Sequence, residues 1–333
     1  MQMELDGVEV EARESADAFS DGDSGYDEGY LSTESVQSSI FEYEQENGRT
    51  YHAFRRGKYV IPNDEGEQER MDIHYHGVRL VLKERHFVCP IRNPRKVLDI
   101  GTGTGIWAID MADDYPMSEV IGVDLSPIQP TAVPPNLEFQ IMDADETWTF
   151  NQEFDFVHSR LMNGFSVKSW SHFYEQAFKS MTPGGWVENQ EFDLNFSADD
   201  GSLPPDAAVV RWQNLWEEGI QRFGLTSRCY PEKMKQQMED AGFINVTVRP
   251  YKFPMGPWPK DKRLRQAGIY LLVGMYEGLQ GLSVRTFTQG LGWSLAEMET
   301  LLMEVRNDFK SKRIHMYLPV YVVYGQKPPL STK

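Results

Sequence analysis

The sequence predicts a doubly wound α/β fold, a seven-stranded, largely parallel sheet with helices on both faces. A helical lid is expected before the first strand and a helical insert before the last. Three observations predict this. Short apolar strands alternate with helical segments from Lys96 onward, a glycine-rich loop follows the first strand, and aspartates close three successive strands.

Residues 1 to 39 come first, rich in Ser, Asp, Glu and Gly. The run Ser20-Asp-Gly-Asp-Ser-Gly-Tyr-Asp-Glu-Gly29 has too little apolar surface to offset its ordering entropy, and it reads as a disordered acidic leader. Fourteen acids against Arg13 and Arg49 place −12 of the net −17 within the first fifty residues. The remaining chain is mildly acidic and carries no basic stripe, which argues against a nucleic-acid partner. No apolar run approaches the ~20 residues of a membrane helix, and Met1 to Val10 does not read as a secretory signal. Cys89 and Cys229 are too few for a disulfide framework or a zinc site. The expectation is an intracellular protein, cytoplasmic or nuclear, with no membrane partner.

Residues 40 to 92 read as a helical lid, from Phe41, Tyr43 and Tyr51 to Met71, Ile73, Val78 and Leu82, with Pro62-Asn-Asp-Glu65 as a turn or helix start. Residues 93 to 328 then form the main α/β unit. Lys96 to Ile100 is a strand ending in glycines, and Ile106 to Asp114 a helix. Glu119 to Asp124, Leu137 to Met142 and Phe154 to His158 read as further strands. His172 to Met181 is a helix, and Pro183-Gly-Gly185 a turn into the strand Trp186 to Phe192. Helices follow over Asp206 to Phe223 and Pro231 to Ala241, with Gly242 as a stop. Ile244 to Tyr251 and Leu318 to Gly325 are the last strands. Between them, residues 252 to 317 carry their own helical periodicity, notably Leu295 to Phe309, and form an insert over the carboxyl edge of the sheet.

The chemistry starts at Val97-Leu-Asp-Ile-Gly-Thr-Gly-Thr-Gly105. Gly101, Gly103 and Gly105, with Thr102 between them, permit a tight turn and close backbone approach to a cofactor. The spacing departs from the dinucleotide pattern, and Asp99 precedes the loop, where it repels a pyrophosphate. The same acid suits the cationic amino group and sulfonium of S-adenosylmethionine. Loop spacing and Asp99 together disfavour a nicotinamide oxidoreductase.

Asp124, followed by Leu125, ends the next strand 23 residues beyond Gly101, near the spacing of a carboxylate that binds ribose hydroxyls; the alternative is a turn or helix-capping acid. The third strand ends at Asp143-Ala-Asp145. Asp143 and Ala144 fit an adenine edge, with Trp148 or Ile141 against the ring. His158 or Arg160 projects near the methyl-transfer site, although a hydrogen-bonded strand-end histidine reads equally well. No Asp/Asn-Pro-Pro-Tyr follows the fourth strand, and no Pro-Cys nucleophile is present, which argues against methylation of a base or side-chain amide. His74 and His76 lack a third ligand cluster, so no metal is expected, and His76 reads as a lid residue or a base. For an acceptor that must lose a proton, the candidate bases are Tyr51, His76, His158 and Glu191. Trp258, Tyr270, Tyr276 and Trp293 of the insert fit either an acceptor pocket or the core.

These residues resemble a family. Beyond the glycine loop, Ile106-Trp-Ala-Ile109, Asp124-Leu-Ser-Pro-Ile-Gln-Pro130, Pro183-Gly-Gly-Trp-Val-Glu188, Gly256-Pro-Trp-Pro-Lys260, Leu291-Gly-Trp293 and Tyr321-Val-Val-Tyr-Gly-Gln-Lys327 are similar to the fungal LaeA-like methyltransferases. So are Gly48-Arg-Thr-Tyr-His-Ala-Phe54, Pro62-Asn-Asp-Glu65 and Val133-Pro-Pro-Asn136, so that the likeness covers roughly residues 40 to 328. The resemblance implies a class I (Rossmann-like) S-adenosylmethionine fold with Gly101, Gly103, Gly105, Asp124 and Asp143 in the cofactor site. It implies either an enzyme that methylates a small molecule in secondary metabolism or a nuclear regulator working with velvet-type proteins. The reading adopted is the enzyme, with a small-molecule acceptor.

Overall fold

The computed structural model describes residues 43–52, 54 and 59–330; the predicted acidic leader lies outside them. A small hairpin, β1 (Glu44–Glu46) and β2 (Arg49–Tyr51), precedes helix α1 (Glu65–Val81). The helix expected from Tyr43 to Tyr51 is therefore a hairpin. Asn47 and Gly48 both take positive φ, 51° and 75°, and an Asn-Gly pair between two short strands is a strong signal for a tight two-residue turn. Asp64 caps α1, its Oδ1 accepting from Glu67 N at 3.2 Å.

The main sheet is built from β3 (Lys96–Ile100), β4 (Glu119–Asp124), β5 (Leu137–Ile141), β6 (Phe154–Arg160), β7 (Met181–Phe192), β8 (Ile244–Pro254) and β9 (Tyr317–Gln326). Its order is β5-β4-β3-β6-β7-β9-β8, parallel except that β9 runs antiparallel between β7 and β8. Helices α2 (Ile106–Asp114), α3 (Trp170–Lys179), α4 (Ala208–Gln221) and α5 (Pro231–Asp240) connect the strands. The strand order reverses between β3 and its two neighbours β4 and β6, which opens a crevice at their carboxyl ends.

The Pro183-Gly-Gly185 segment lies inside β7 rather than before it. Phe154 pairs with Met181 and Phe156 with Trp186, so the extra β7 residues bulge out of the ladder, with Gly184 at φ 87°.

Strand side chains alternate between two buried faces. Val97, Val120 and Phe156 pack with Trp107 and the lid, whereas Leu98, Val123 and Val157 pack with Phe173, Met234 and Met238. Each fully buried side chain of this size contributes roughly 1.5–3 kcal/mol.

The insert between β8 and β9 holds the long helix α6 (Lys262–Arg285), a π-helical turn (Thr286–Gly290) and α7 (Leu295–Lys310). A capping box between Ser294 and Glu297 starts α7. Helix α6 lies along α1, where Gly278 clears room for the Arg70 stem; a Cβ there would overlap it. Arg285 fastens the hairpin to α6, pairing with Glu44 at 2.6 Å and Glu46 at 2.9 Å, with its guanidinium 3.4 Å from the Tyr51 ring centroid.

Candidate active site

Each strand of the crevice ends in a residue that faces one cavity. After Ile100 the chain turns sharply through Gly101 (φ 71°), where a Cβ would overlap the Met162 sulfur. At Gly103 (φ 58°) a Cβ would meet only Met71 Sδ, at 3.6 Å, because that position faces open space. Glycine is thus required by crowding at the first position and leaves the backbone accessible at the second.

Asp124 accepts from Gly103 N at 2.8 Å and from Ser126 N at 2.9 Å, which couples the acid to the glycine loop. Burial pushes its carboxyl up to about 6 against the pull of those amides. Asp143 is buried and accepts from Asp145 N at 3.0 Å. Asp99, Gly101, Thr102, Gly103, Asp124, Leu125, Asp143 and Ala144 all line the cavity. Gly105 does not; a Cβ there would overlap the Phe139 ring, so its role is to pack the loop on β5.

Asp99 and His158 form a pair inside the site. His158 Nδ1 lies 2.7 Å from Asp99 Oδ1, and the imidazole stacks on Trp107. Burial lowers the His158 pKa although Asp99 pulls it upward. Its Nδ1 is committed to Asp99, while Nε2 is buried without a hydrogen-bond partner among the described residues and the ring lines the cavity, a position compatible with both readings of this histidine.

Several expected site residues lie elsewhere. Trp148 does not flank the cavity; its indole donates to Ala144 O at 3.1 Å and packs edge-on against Phe173, while Leu125, Ile128 and Met142 line the wall in its stead. Tyr51 lies under Arg285 in the hairpin, and burial pushes its phenol up to about 12. His76 is exposed on the outer side of α1, beside Tyr270.

Glu191 is fully buried outside the cavity, accepting from Met162 N at 3.3 Å and Asn163 N at 2.9 Å, and burial raises its pKa to about 8. It holds the turn after β6, where Leu161 takes φ 54°. Trp258, Tyr270, Tyr276 and Trp293 do not line the cavity; the insert contributes Met275 and Leu282 in their place.

The lid supplies groups that the sequence reading missed. Arg70, Met71, His74 and Tyr75 of α1 reach the cavity, as does Tyr59. His74 shares a helical phase with Glu67, Val78 and Val81, all buried, and that spacing could have identified it in place of His76. Burial, together with Arg70 and Arg160, holds its pKa well below the usual histidine value. Arg70 is neutralised by Glu67 at 2.7 Å. Thr104 Oγ1 donates to Asp72 Oδ1 at 2.6 Å, tying the lid to the glycine loop.

Beyond Arg160 and Met162 the wall turns apolar, with Phe165, Leu194, Phe196, Trp212, Trp216 and Leu318. The cavity is open at its mouth, and the space between its walls, open solvent included, is about 1640 Å³. Among the described residues, no group of three or more His, Cys, Asp or Glu is placed to hold a metal ion. No helix among them is long and apolar enough to cross a membrane.

Comparison with known proteins agrees with this geometry. Residues 71–248 match a family model described as a methyltransferase domain. The methyltransferase pytC of Aspergillus terreus is 38% identical over 297 residues, covering 88% of this chain and 91% of that protein. The secondary metabolism regulator LAE1 of Cochliobolus heterostrophus is 36% identical over 292 residues, covering 85% and 94%. A protein of Emericella nidulans named protein-methionine methyltransferase laeA is 33% identical over 291 residues, covering 86% and 77%. With a glycine loop and strand-end aspartates around one cavity, and relatives of this similarity along most of its length, the chain belongs to the fungal LaeA-like family of S-adenosylmethionine-dependent methyltransferases.

Proposed function

We propose that this methyltransferase acts on a small, largely apolar molecule of fungal secondary metabolism that enters the cavity whole. The carrying observation is the division of one continuous space. Its half over β3, β4 and β5 is polar and acidic, and its half over β6, β7, α4 and α6 is aromatic and aliphatic.

The residues present fit S-adenosylmethionine. Among the described residues, Asp124 is a carboxylate partnered only by backbone amides, suited to ribose hydroxyls, and Thr102 Oγ1 is buried with no hydrogen-bond partner. Asp143 and Ala144, with Leu125 and Met142, are assigned to the adenine end, and Asp99 with Gly101 and Gly103 to the methionine end. When bound, the cofactor supplies an electrophilic methyl carbon on a cationic sulfur.

The chain's own contribution is placement and exclusion of water. The lid, tied down through Thr104 and Asp72, and the insert through Met275 and Leu282 enclose the acceptor against the strand ends. Such alignment contributes up to ~7–11 kcal/mol in favourable cases.

A second reading, supported by the relatives that are secondary metabolism regulators, is a regulatory protein that binds the cofactor; a nuclear site and velvet-type partners come to that reading only from the family resemblance. The two are separated by titrating the chain with S-adenosylmethionine and its demethylated product, then incubating it with a fungal metabolite extract. Cofactor binding with a new small molecule heavier by one methyl supports the enzyme. Cofactor binding without such a product favours the regulator.

A further inference from the structure

Arg160 stands at the boundary between the two halves of the cavity, at the carboxyl end of β6. Its Nε donates to Gln190 Oε1 at 3.1 Å, and its guanidinium lies 5.1 Å from the Tyr75 ring centroid. Among the described residues, no carboxylate oxygen comes within 4.0 Å of it. The acids whose charge reaches it are engaged elsewhere. Asp99 holds His158 at 2.7 Å, while Glu188 accepts from Val88 N, Cys89 N and Gln190 Nε2.

The second arginine lining the cavity, Arg70 of the lid, is already neutralised by Glu67. Arg160 is thus a half-buried cation without an ion pair among the described residues. Burial holds its pKa below the usual arginine value, which is the signature of a desolvation cost that an anion would offset.

Resting on the small-molecule reading above, we infer that the acceptor carries a carboxylate, that Arg160 binds it, and that the carboxylate oxygen is the atom methylated. A planar guanidinium is shaped for a carboxylate, and the aromatic wall beyond it fits an apolar body. The step balances without a base. A lone pair of the carboxylate oxygen forms the new O–C bond as the C–S bond breaks, and its electrons remain on sulfur as a neutral thioether. No proton moves, and the product is an uncharged methyl ester. Of the four expected bases, Tyr51, His76 and Glu191 lie outside the cavity. His158 lines it, with Nδ1 on Asp99 and Nε2 buried without a hydrogen-bond partner among the described residues, and an ionised carboxylate has no proton for either nitrogen to take. The ester has lost its ionic contact to Arg160, which favours product release.

The test uses the full chain saturated with S-adenosylhomocysteine. It is titrated with 2-naphthoate, cinnamate and decanoate, each beside its uncharged primary amide of the same shape. The expected result is that at least one carboxylate binds tighter than its amide. Arg160→Gln then weakens that carboxylate by at least about 30-fold, Arg160→Lys restores part of the loss, and the amide is unaffected. Retained S-adenosylhomocysteine affinity in Arg160→Gln reports that the variant is folded.

Two results overturn the inference. One is that no carboxylate is preferred over its amide. The other is that Arg160→Gln weakens S-adenosylhomocysteine as much as the carboxylate, which would assign Arg160 to the cofactor's own carboxylate. Failure of the wild-type chain to bind S-adenosylhomocysteine would instead overturn the reading of the cavity itself, so the two failures are distinct.

Discussion

His158 lies flat against Trp107, ring centroids 3.8 Å apart and planes within 5°, while its Nδ1 meets Asp99 Oδ1 at 2.7 Å. The strand-end acid nearest the glycine loop is therefore held by a neighbour on β6 as well as facing the cavity. Removing the imidazole leaves a buried carboxylate without its partner, which costs roughly 3–5 kcal/mol. Asp99→Asn keeps an acceptor for Nδ1–H, and its cost is expected below about 1.5 kcal/mol. Urea unfolding of His158→Phe and Asp99→Asn measures both. Equal, small losses would show that packing on Trp107 alone secures the pair.

In the proposed ribose-binding role, Asp124 should make cofactor binding depend on pH. Burial raises its folded pKa to about 6, above the ordinary aspartate value of 3.8. In the free protein the folded state therefore binds more protons between those two values, and stability declines as pH rises through that window. Ribose hydroxyls donate to the ionised form, so affinity for S-adenosylmethionine is expected to rise as pH increases through about 6. Asp124→Asn should stabilise the free protein at pH 7, weaken the cofactor roughly 10–100-fold and flatten the pH dependence. Calorimetric titration from pH 5 to 8 reads the last two. A wild-type affinity that is flat across that range removes Asp124 from the ribose site.

The two glycines at 101 and 103 should fail differently. Both take positive φ, costing a substituted residue roughly 1–2 kcal/mol. Gly101→Ala also drives a methyl into Met162, whereas Gly103→Ala meets only Met71 Sδ at 3.6 Å. Gly101→Ala should lower the melting temperature by clearly more than Gly103→Ala. Gly103→Ala should remain folded and lose cofactor affinity, since its methyl enters the space assigned to the cofactor. Parallel melting curves and cofactor titrations of the two variants check this.

The half of the cavity proposed for the cofactor was legible because its signals are local. Gly101, Gly103, Asp124 and Asp143 follow strands whose apolar pattern fixes where each ends. The acceptor half comes from elements far apart in sequence, and its side-chain directions depend on how they pack. His74 and His76 differ only by helical phase, with Glu67, Val78 and Val81 setting which one is buried. Glu191 and Trp148 carry plausible chemistry by type, yet both are spent inside the protein on Asn163 N and Ala144 O. Asn47-Gly48 is a hairpin-turn signal, whereas the aromatic pattern around it has a helical spacing, and the turn residues prevail.

The hairpin should behave as a latch with an asymmetric energetic pattern. Arg285 has a side chain only 4% exposed, whereas Glu44 and Glu46 are 40% and 26% exposed. Arg285→Met removes the buried charge and leaves both carboxylates free to turn toward water, so most of its cost is lost contact with Tyr51 and the two ion pairs. Replacing both acids, Glu44→Gln with Glu46→Gln, instead leaves a guanidinium buried against one aromatic ring, and the unpaired charge carries the larger penalty. The double variant should therefore lose more stability than Arg285→Met, by about 1–3 kcal/mol. In both, the segment ahead of α1 should become cleavable by trypsin before the rest of the chain. Unfolding midpoints with timed proteolysis test the pattern. If Arg285→Met proves the more damaging, the guanidinium's contact with Tyr51 outweighs its desolvation, and the latch is held by the stack rather than by charge.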